Sequence, residues 1–139
     1  MFERCLYFNS NSLVRKLNRI WDEAYQETGL SAPHAYMLRM VAAEPGLTQK
    51  EIAEQLQLEK STITRFANSL IEKGLIVKQV AEDGRKNSLA ATKKGNKLAD
   101  KLNLIGDNLY KQMQQKLGLQ NIKQTLEQVK TTAKKLDIK

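Results

Sequence analysis

The segment from Lys60 to Lys73 constrains this chain most. Ile63, Phe66, Ala67, Leu70 and Ile71 recur at i, i+3, i+4, i+7 and i+8, which makes one continuous apolar stripe on a helix. Gly74 stands where such a helix ends. The opposite face carries Ser61, Thr62, Thr64, Arg65 and Asn68, polar and mostly uncharged. A face meant only for solvent is usually laced with Glu and Lys pairs. Here acidic residues wait until Glu72.

The flanking residues narrow the fold. Thr48-Gln49-Lys50-Glu51 reads as a capping box, a Thr cap with Glu three residues on, opening a short helix on Ile52, Ala53 and Leu56 that stops near Leu58. Leu75 to Ala81 is rich in β-branched residues, Asp83-Gly84 is a hairpin signal, and a short return strand spans Asn87 to Ala91. The hairpin carries Arg85 and Lys86 at its tip. Two short, tightly joined helices, the second with a polar outer face, followed by a basic hairpin, describe a winged helix-turn-helix.

Helices flank this core on both sides. Leu13, Leu17, Ile20, Trp21 and Ala24 predict a first helix from about Asn9 to Thr28, ended by Gly29, after an irregular or weakly helical start over residues 1–8. Ser31 is expected to cap a second helix, with Pro33 in its first turn, Met37, Leu38 and Val41 inside, and Pro45-Gly46 at its end. Thr92 is expected to cap a long fifth helix on Leu98, Leu102, Ile105, Leu109 and Met113, broken at Gly118. Leu119, Ile122, Leu126, Val129, Ala133 and Leu136 then follow a heptad seam. The expected class is mostly α with a small β-hairpin wing, one domain over residues 1–139. Residues 30–95 would form the winged helix-turn-helix lobe, flanked by helical regions over 1–29 and 96–139.

Charge and composition sort the functions. The net charge is +8, unevenly spread: residues 1–58 carry 6 basic and 7 acidic side chains, 59–94 carry 8 and 4, and 95–139 carry 9 and 4. A basic excess behind a neutral front suits an anionic partner, nucleic acid above all. One Cys and one His cannot build a Cys/His zinc site, and one Cys excludes an intrachain disulfide framework. No apolar run approaches the ~20 residues of a membrane span, and Met1-Phe2-Glu3-Arg4-Cys5 lacks the pattern of a secretory signal. The expected compartment is the cytoplasm. No Gly-rich phosphate loop, metal-spaced ligand set or paired carboxylates mark a catalytic set, so neither an enzyme nor a cofactor is expected.

The physics suits double-stranded DNA. A helix about 10–12 Å across fits the major groove. Lys60, Ser61, Thr62, Thr64, Arg65 and Asn68 can meet base edges and phosphates, with Arg65 suited to guanine. Thr48 and Gln49 at the start of the preceding helix are further candidates. Arg85 and Lys86 on the wing can reach phosphates or an adjacent minor groove, aimed by Asp83.

These motifs carry a resemblance to the MarR family of bacterial transcriptional regulators. The matching stretches are Thr48-Gln49-Lys50-Glu51-Ile52-Ala53, Lys60-Ser61-Thr62-Ile63-Thr64-Arg65, Leu70-Ile71-Glu72-Lys73-Gly74-Leu75-Ile76, and above all the wing Asp83-Gly84-Arg85-Lys86-Asn87-Ser88-Leu89 leading into Thr92-Lys93-Lys94-Gly95. Ala91 departs from the family pattern, where a Leu usually stands before the Thr. The resemblance implies a homodimer on a near-palindromic operator, with recognition helices ~34 Å apart. The unpartnered stripe Leu119/Ile122/Leu126/Val129 agrees with a dimer independently.

The resemblance also implies a signal. Family members respond to small phenolic or aromatic ligands, or to oxidants. Trp21, His34 and Tyr36 are the candidates to line a ligand crevice. Cys5 is the candidate redox sensor, with Arg4 beside it favouring the thiolate and Tyr7 or Tyr25 as an assisting hydroxyl. The expected function is a sequence-specific regulator, a repressor released by a small aromatic ligand or by oxidation. The alternative is a winged-helix protein-interaction module, against which the polar face of Ser61 to Asn68 and the basic wing both argue.

Overall fold

Local backbone chemistry sets where each element begins and ends. The computed structural model describes residues 1–80, 83–84 and 87–137. Among these, six α-helices and one hairpin follow in chain order: α1 Leu6–Tyr25, α2 Ala32–Ala43, α3 Gln49–Leu56, α4 Lys60–Glu72, β1 Ile76–Gln79, β2 Ser88–Ala91, α5 Lys93–Leu117 and α6 Leu119–Lys135. Arg85 and Lys86, the expected wing tip, lie outside the described residues, as do Ala81 and Glu82.

α1 begins three residues earlier than its apolar spacing predicts. Cys5 caps it: the Phe8 N–H donates to Cys5 Sγ at 3.4 Å. The Asn9 amide donates to the carbonyls of Phe2, Glu3 and Cys5 at 3.1, 3.3 and 2.8 Å. The Phe2 and Phe8 rings meet at 5.0 Å. Side-chain hydrogen bonds, invisible to an apolar-periodicity reading, thus order the start that was expected to be irregular or weakly helical. At its other end α1 tightens into a 3-10 turn, Gln26–Thr28, and Gly29 turns the chain at φ +73°.

Ser31 takes the N-cap backbone conformation, but its side chain does not cap α2. Its hydroxyl lies 2.6 Å from Nδ1 of His34 instead. The expected cap is right in place and wrong in bonding, because the hydroxyl is turned toward the nearby imidazole.

The molecule divides into two compact units, Met1–Ile105 and Gly106–Lys139. In the first, Met37, Leu38 and Val41 of α2, Ile52 of α3 and Ile63, Ala67 and Leu70 of α4 are fully buried, with Ile76, Leu89 and Leu102. Burying a side chain of this size stabilises by about 1.5–3 kcal/mol before chain entropy is charged. In the second unit Leu109, Met113 and Ile122 are buried, while Leu119, Leu126, Val129 and Leu136 stay 41–62% exposed.

The hairpin is antiparallel, with Ile76 opposite Ala91 and Gln79 opposite Ser88. Ala91, the departure from the family pattern, is half-buried at this junction. The chain ahead of α3 also bonds to β2: Thr48 makes an isolated bridge to Ser88, Leu89 N–H donates to the Leu47 carbonyl at 2.9 Å, and Gly46 N–H to the Leu89 carbonyl at 2.9 Å. The loop ahead of α3 therefore fastens the wing to the helix-turn-helix. Thr92 ties the base of the hairpin to α5. Its hydroxyl donates to the Gly74 carbonyl at 2.7 Å and accepts from Gly95 N–H at 3.0 Å.

Candidate nucleic-acid interface

α4 is held by chemistry on both flanks. The capping box forms as expected: Thr48 N–H donates to Glu51 Oε2 at 2.8 Å, and Glu51 N–H to Thr48 Oγ1 at 3.1 Å. This spends the Thr48 hydroxyl on helix α3. Gln49 is only 7% exposed. The Thr64 hydroxyl donates toward Gln49 Oε1 at 2.9 Å and lies 3.0 Å from the Lys60 carbonyl. Two residues expected to read DNA thus face each other across the α3–α4 contact and set the pose of α4. Gln57, at φ +57°, turns the chain between the two helices.

The outer face of α4 follows from this pose. Lys60, Ser61, Arg65 and Asn68 are exposed and Thr62 is half-buried. Ile63, Ala67 and Leu70 beneath them have no exposure. Among the described residues no carboxylate pairs with Arg65 or Lys60. Asp83, at the described part of the wing, is exposed, and Gly84 beside it sits at φ +83°.

The structure separates His34 from Trp21 and Tyr36. Trp21 Nε1–H donates to the Tyr36 hydroxyl at 2.8 Å. Arg39 lies 5.4 Å from the centre of the Tyr36 ring, donates from Nε to Asn103 Oδ1 at 2.7 Å, and reaches the buried Tyr25 hydroxyl at 3.3 Å. Burial raises the Tyr25 phenol above its ordinary pKa, and neighbouring Tyr36 adds to this while Arg39 opposes it. An open hollow of about 410 Å³ adjoins this network, lined by Tyr36, Arg39, Met40, Ala43, Glu44, Gln55 and Asn103.

His34 belongs elsewhere. Its ring lies on Phe66 of α4 with centroids 4.1 Å apart. Burial, then the charges of Lys73 and Arg65, push the imidazole below its ordinary pKa. Lys73 and Ser69 line a hollow with His34 and were not singled out by the sequence reading. Phe66, Ser69 and Lys73, spaced i, i+3 and i+7, share one helix flank, and that spacing was the signal available.

Cys5 is partly buried and serves α1 as its cap. Tyr7 is exposed, and Tyr25 is committed to Arg39. Among the described residues no group of three or more His, Cys, Asp or Glu is placed to hold a metal, and no helix is long and apolar enough to cross a membrane.

Comparison with known proteins follows this geometry. Residues 28–86 match the MarR family. A Thauera aromatica protein assigned to transcriptional regulation of the hcr operon is 38% identical over 50 residues, 36% of this chain and 30% of that protein. YwoH, an HTH-type transcriptional regulator of Bacillus subtilis, is 28% identical over 101 residues, 73% of this chain and 74% of that one. The crystal structure of the S. aureus MepR–DNA complex superposes with a TM-score of 0.84 at 21% identity, covering 97% of this chain and all of that one. The fold is therefore the winged helix seen in MarR-type structures.

Proposed function

We propose that this chain, with its MarR-family region at residues 28–86, is a dimeric, sequence-specific DNA-binding transcription regulator of the repressor type. The observation that carries the reading is the outer face of α4. Ser61, Arg65 and Asn68 stand exposed, with no acidic residue between Lys60 and Ile71, on a helix whose Ile63, Ala67 and Leu70 are fully buried. Such a face can enter a major groove without repelling phosphates. Arg65 is the candidate for guanine, Asn68 for adenine, and Ser61 and Lys60 for the backbone. Gln49 and Thr64 act by fixing the pose of α4, and Thr48 by capping α3. The relatives are regulators rather than enzymes, in keeping with this reading.

The exposed apolar residues of α6 and, separately, of α1 (Leu6, Tyr7, Leu13 and Val14) suit a second copy of the chain. A twofold dimer presents two α4 helices to a near-palindromic site. For the signal, the Tyr36–Arg39 hollow is the better candidate, because its aromatic wall and guanidinium suit a small aromatic effector. An effector that favours one spacing of the two α4 helices over another would release the DNA.

The test is fluorescence anisotropy of the purified protein with DNA from upstream of its own gene, against scrambled DNA, at two salt concentrations. Selective binding that weakens with salt is expected. Equal affinity for both duplexes at low salt would contradict the reading.

A further inference from the structure

We propose that the hollow between the start of α2 and the flank of α4 is a binding site for a phosphate-type oxyanion, held by Lys73, His34, Ser31 and Ser69. The hollow measures about 150 Å³ and is lined by these four residues with Gly29 and Leu30. It has room for a tetrahedral oxyanion, and no carboxylate is among its lining residues.

Three features point to an anion. First, the charged groups that act on His34 are both cations, Lys73 at the C-cap of α4 and Arg65 within that helix. Among the described residues neither is paired with a carboxylate. By contrast, Lys101 has Glu27 at 3.7 Å. Like charges gathered round a half-buried imidazole disfavour its protonation, and an anion in the hollow would reverse that.

Second, the hydrogen-bond pattern leaves donors for a ligand. With the Ser31 hydroxyl donating to Nδ1 at 2.6 Å, the neutral ring carries its proton on Nε2 and can donate it. Once the ring is protonated, Ser31 Oγ accepts from Nδ1, so both states are satisfied. Because Ser31 does not cap α2, the first N–H groups of that helix have no side-chain acceptor, and the helix end carries partial positive charge.

Third, the hollow lies on the right side of α4. Phe66, Ser69 and Lys73 form the flank next to the face bearing Ser61, Arg65 and Asn68. A helix lying in a major groove has a phosphate strand running along its flank. The source of the phosphate as DNA rests on the proposed function; the oxyanion chemistry does not.

His34 is the only histidine in the chain, so its ring resonances are unambiguous by NMR. The pH titration of His34 is recorded in chloride and in inorganic phosphate at matched ionic strength, for the wild-type chain and for Lys73→Met. It is then repeated on a saturating duplex. Inorganic phosphate should raise the midpoint, because a bound anion stabilises the imidazolium, and Lys73→Met should remove most of that rise. A rise with bound duplex as well assigns the phosphate to DNA, and Lys73→Met should then lower the salt slope of duplex binding by about one. A rise with inorganic phosphate but not with bound duplex assigns the site to a free oxyanion. An unmoved midpoint in both ligands, or an equal rise in Lys73→Met, overturns the proposal. If no duplex binds, the DNA reading fails alone and the inorganic phosphate titration still decides the site.

Discussion

Gly95→Ala is the sharpest structural perturbation. A Cβ built on Gly95 would lie 1.9 Å from the Leu75 carbonyl oxygen and 2.9 Å from its carbon, where ordinary contacts fall at 3.4–4 Å. Both sides of this contact are backbone, so no side chain can turn away. The Leu75 carbonyl is also committed. It accepts from Thr92 N–H at 3.0 Å and lies 3.2 Å from the Thr92 hydroxyl, holding the hairpin base against the start of α5. Forced overpacking costs about 1–3 kcal/mol. Weakening the hydrogen bonds at Leu75 adds about 1 kcal/mol. The better helix propensity of Ala returns about 1 kcal/mol. The net loss is about 2 kcal/mol, which for a chain of this length lowers Tm by about 8 °C. Circular dichroism melts of the variant beside Asn96→Ala, on the same turn and exposed, measure it. A Gly95→Ala melt at or above wild type would refute the close-contact argument, since propensity alone predicts stabilisation.

Other outcomes follow from the same geometry. Thr48→Ala should cost about 1 kcal/mol in chemical denaturation by removing the cap oxygen of α3. Gln49→Ala and Thr64→Val should be non-additive, with a coupling of about 0.5–1.5 kcal/mol in a double-mutant cycle; additive losses would mean the two side chains do not act as a pair. His34 has a folded pKa below its unfolded value of 6.5. Above the unfolded value both states are neutral and the group contributes nothing to the pH dependence. As pH falls through it, the unfolded chain takes up the proton first, so stability is lost down to the folded pKa. Melts between pH 7.5 and 5.5 should therefore show wild type losing ground to His34→Gln as the solution is acidified. Cys5→Ser should leave DNA binding intact, and loss of its binding on peroxide treatment, equal to wild type, would exclude Cys5 as the sensor.

Much of the fold was legible because its signals are local. The Ile63/Phe66/Ala67/Leu70 stripe, the Thr48–Glu51 box and the glycine at 29 each depend on neighbours within one or two turns, and each stands as the spacing predicts. What escaped depends on contacts distant in sequence. Gln49 reads as a surface residue at a helix start, and only Thr64, fifteen residues on, makes it a buried brace. The bridge of Gly46–Thr48 to β2 has no alternating pattern behind it and exists because β2 offers an edge. Gly95 looks like a poor helix residue until Leu75 is placed against it. The candidate site divided in the same way. The polar face of α4 could be read from periodicity, whereas the partition of His34 from Trp21 and Tyr36 required the rotation of α2 against α4.

The central claim is that the outer face of α4 reads bases. It is tested most directly by anisotropy of Arg65→Ala on the selected duplex and on scrambled DNA, with melts confirming an unchanged fold. The account predicts a loss of about 1–3 kcal/mol, roughly 5- to 150-fold in affinity, on the selected duplex and a much smaller loss on scrambled DNA. Equal weakening on both duplexes would make Arg65 a phosphate contact only and contradict base reading by this face.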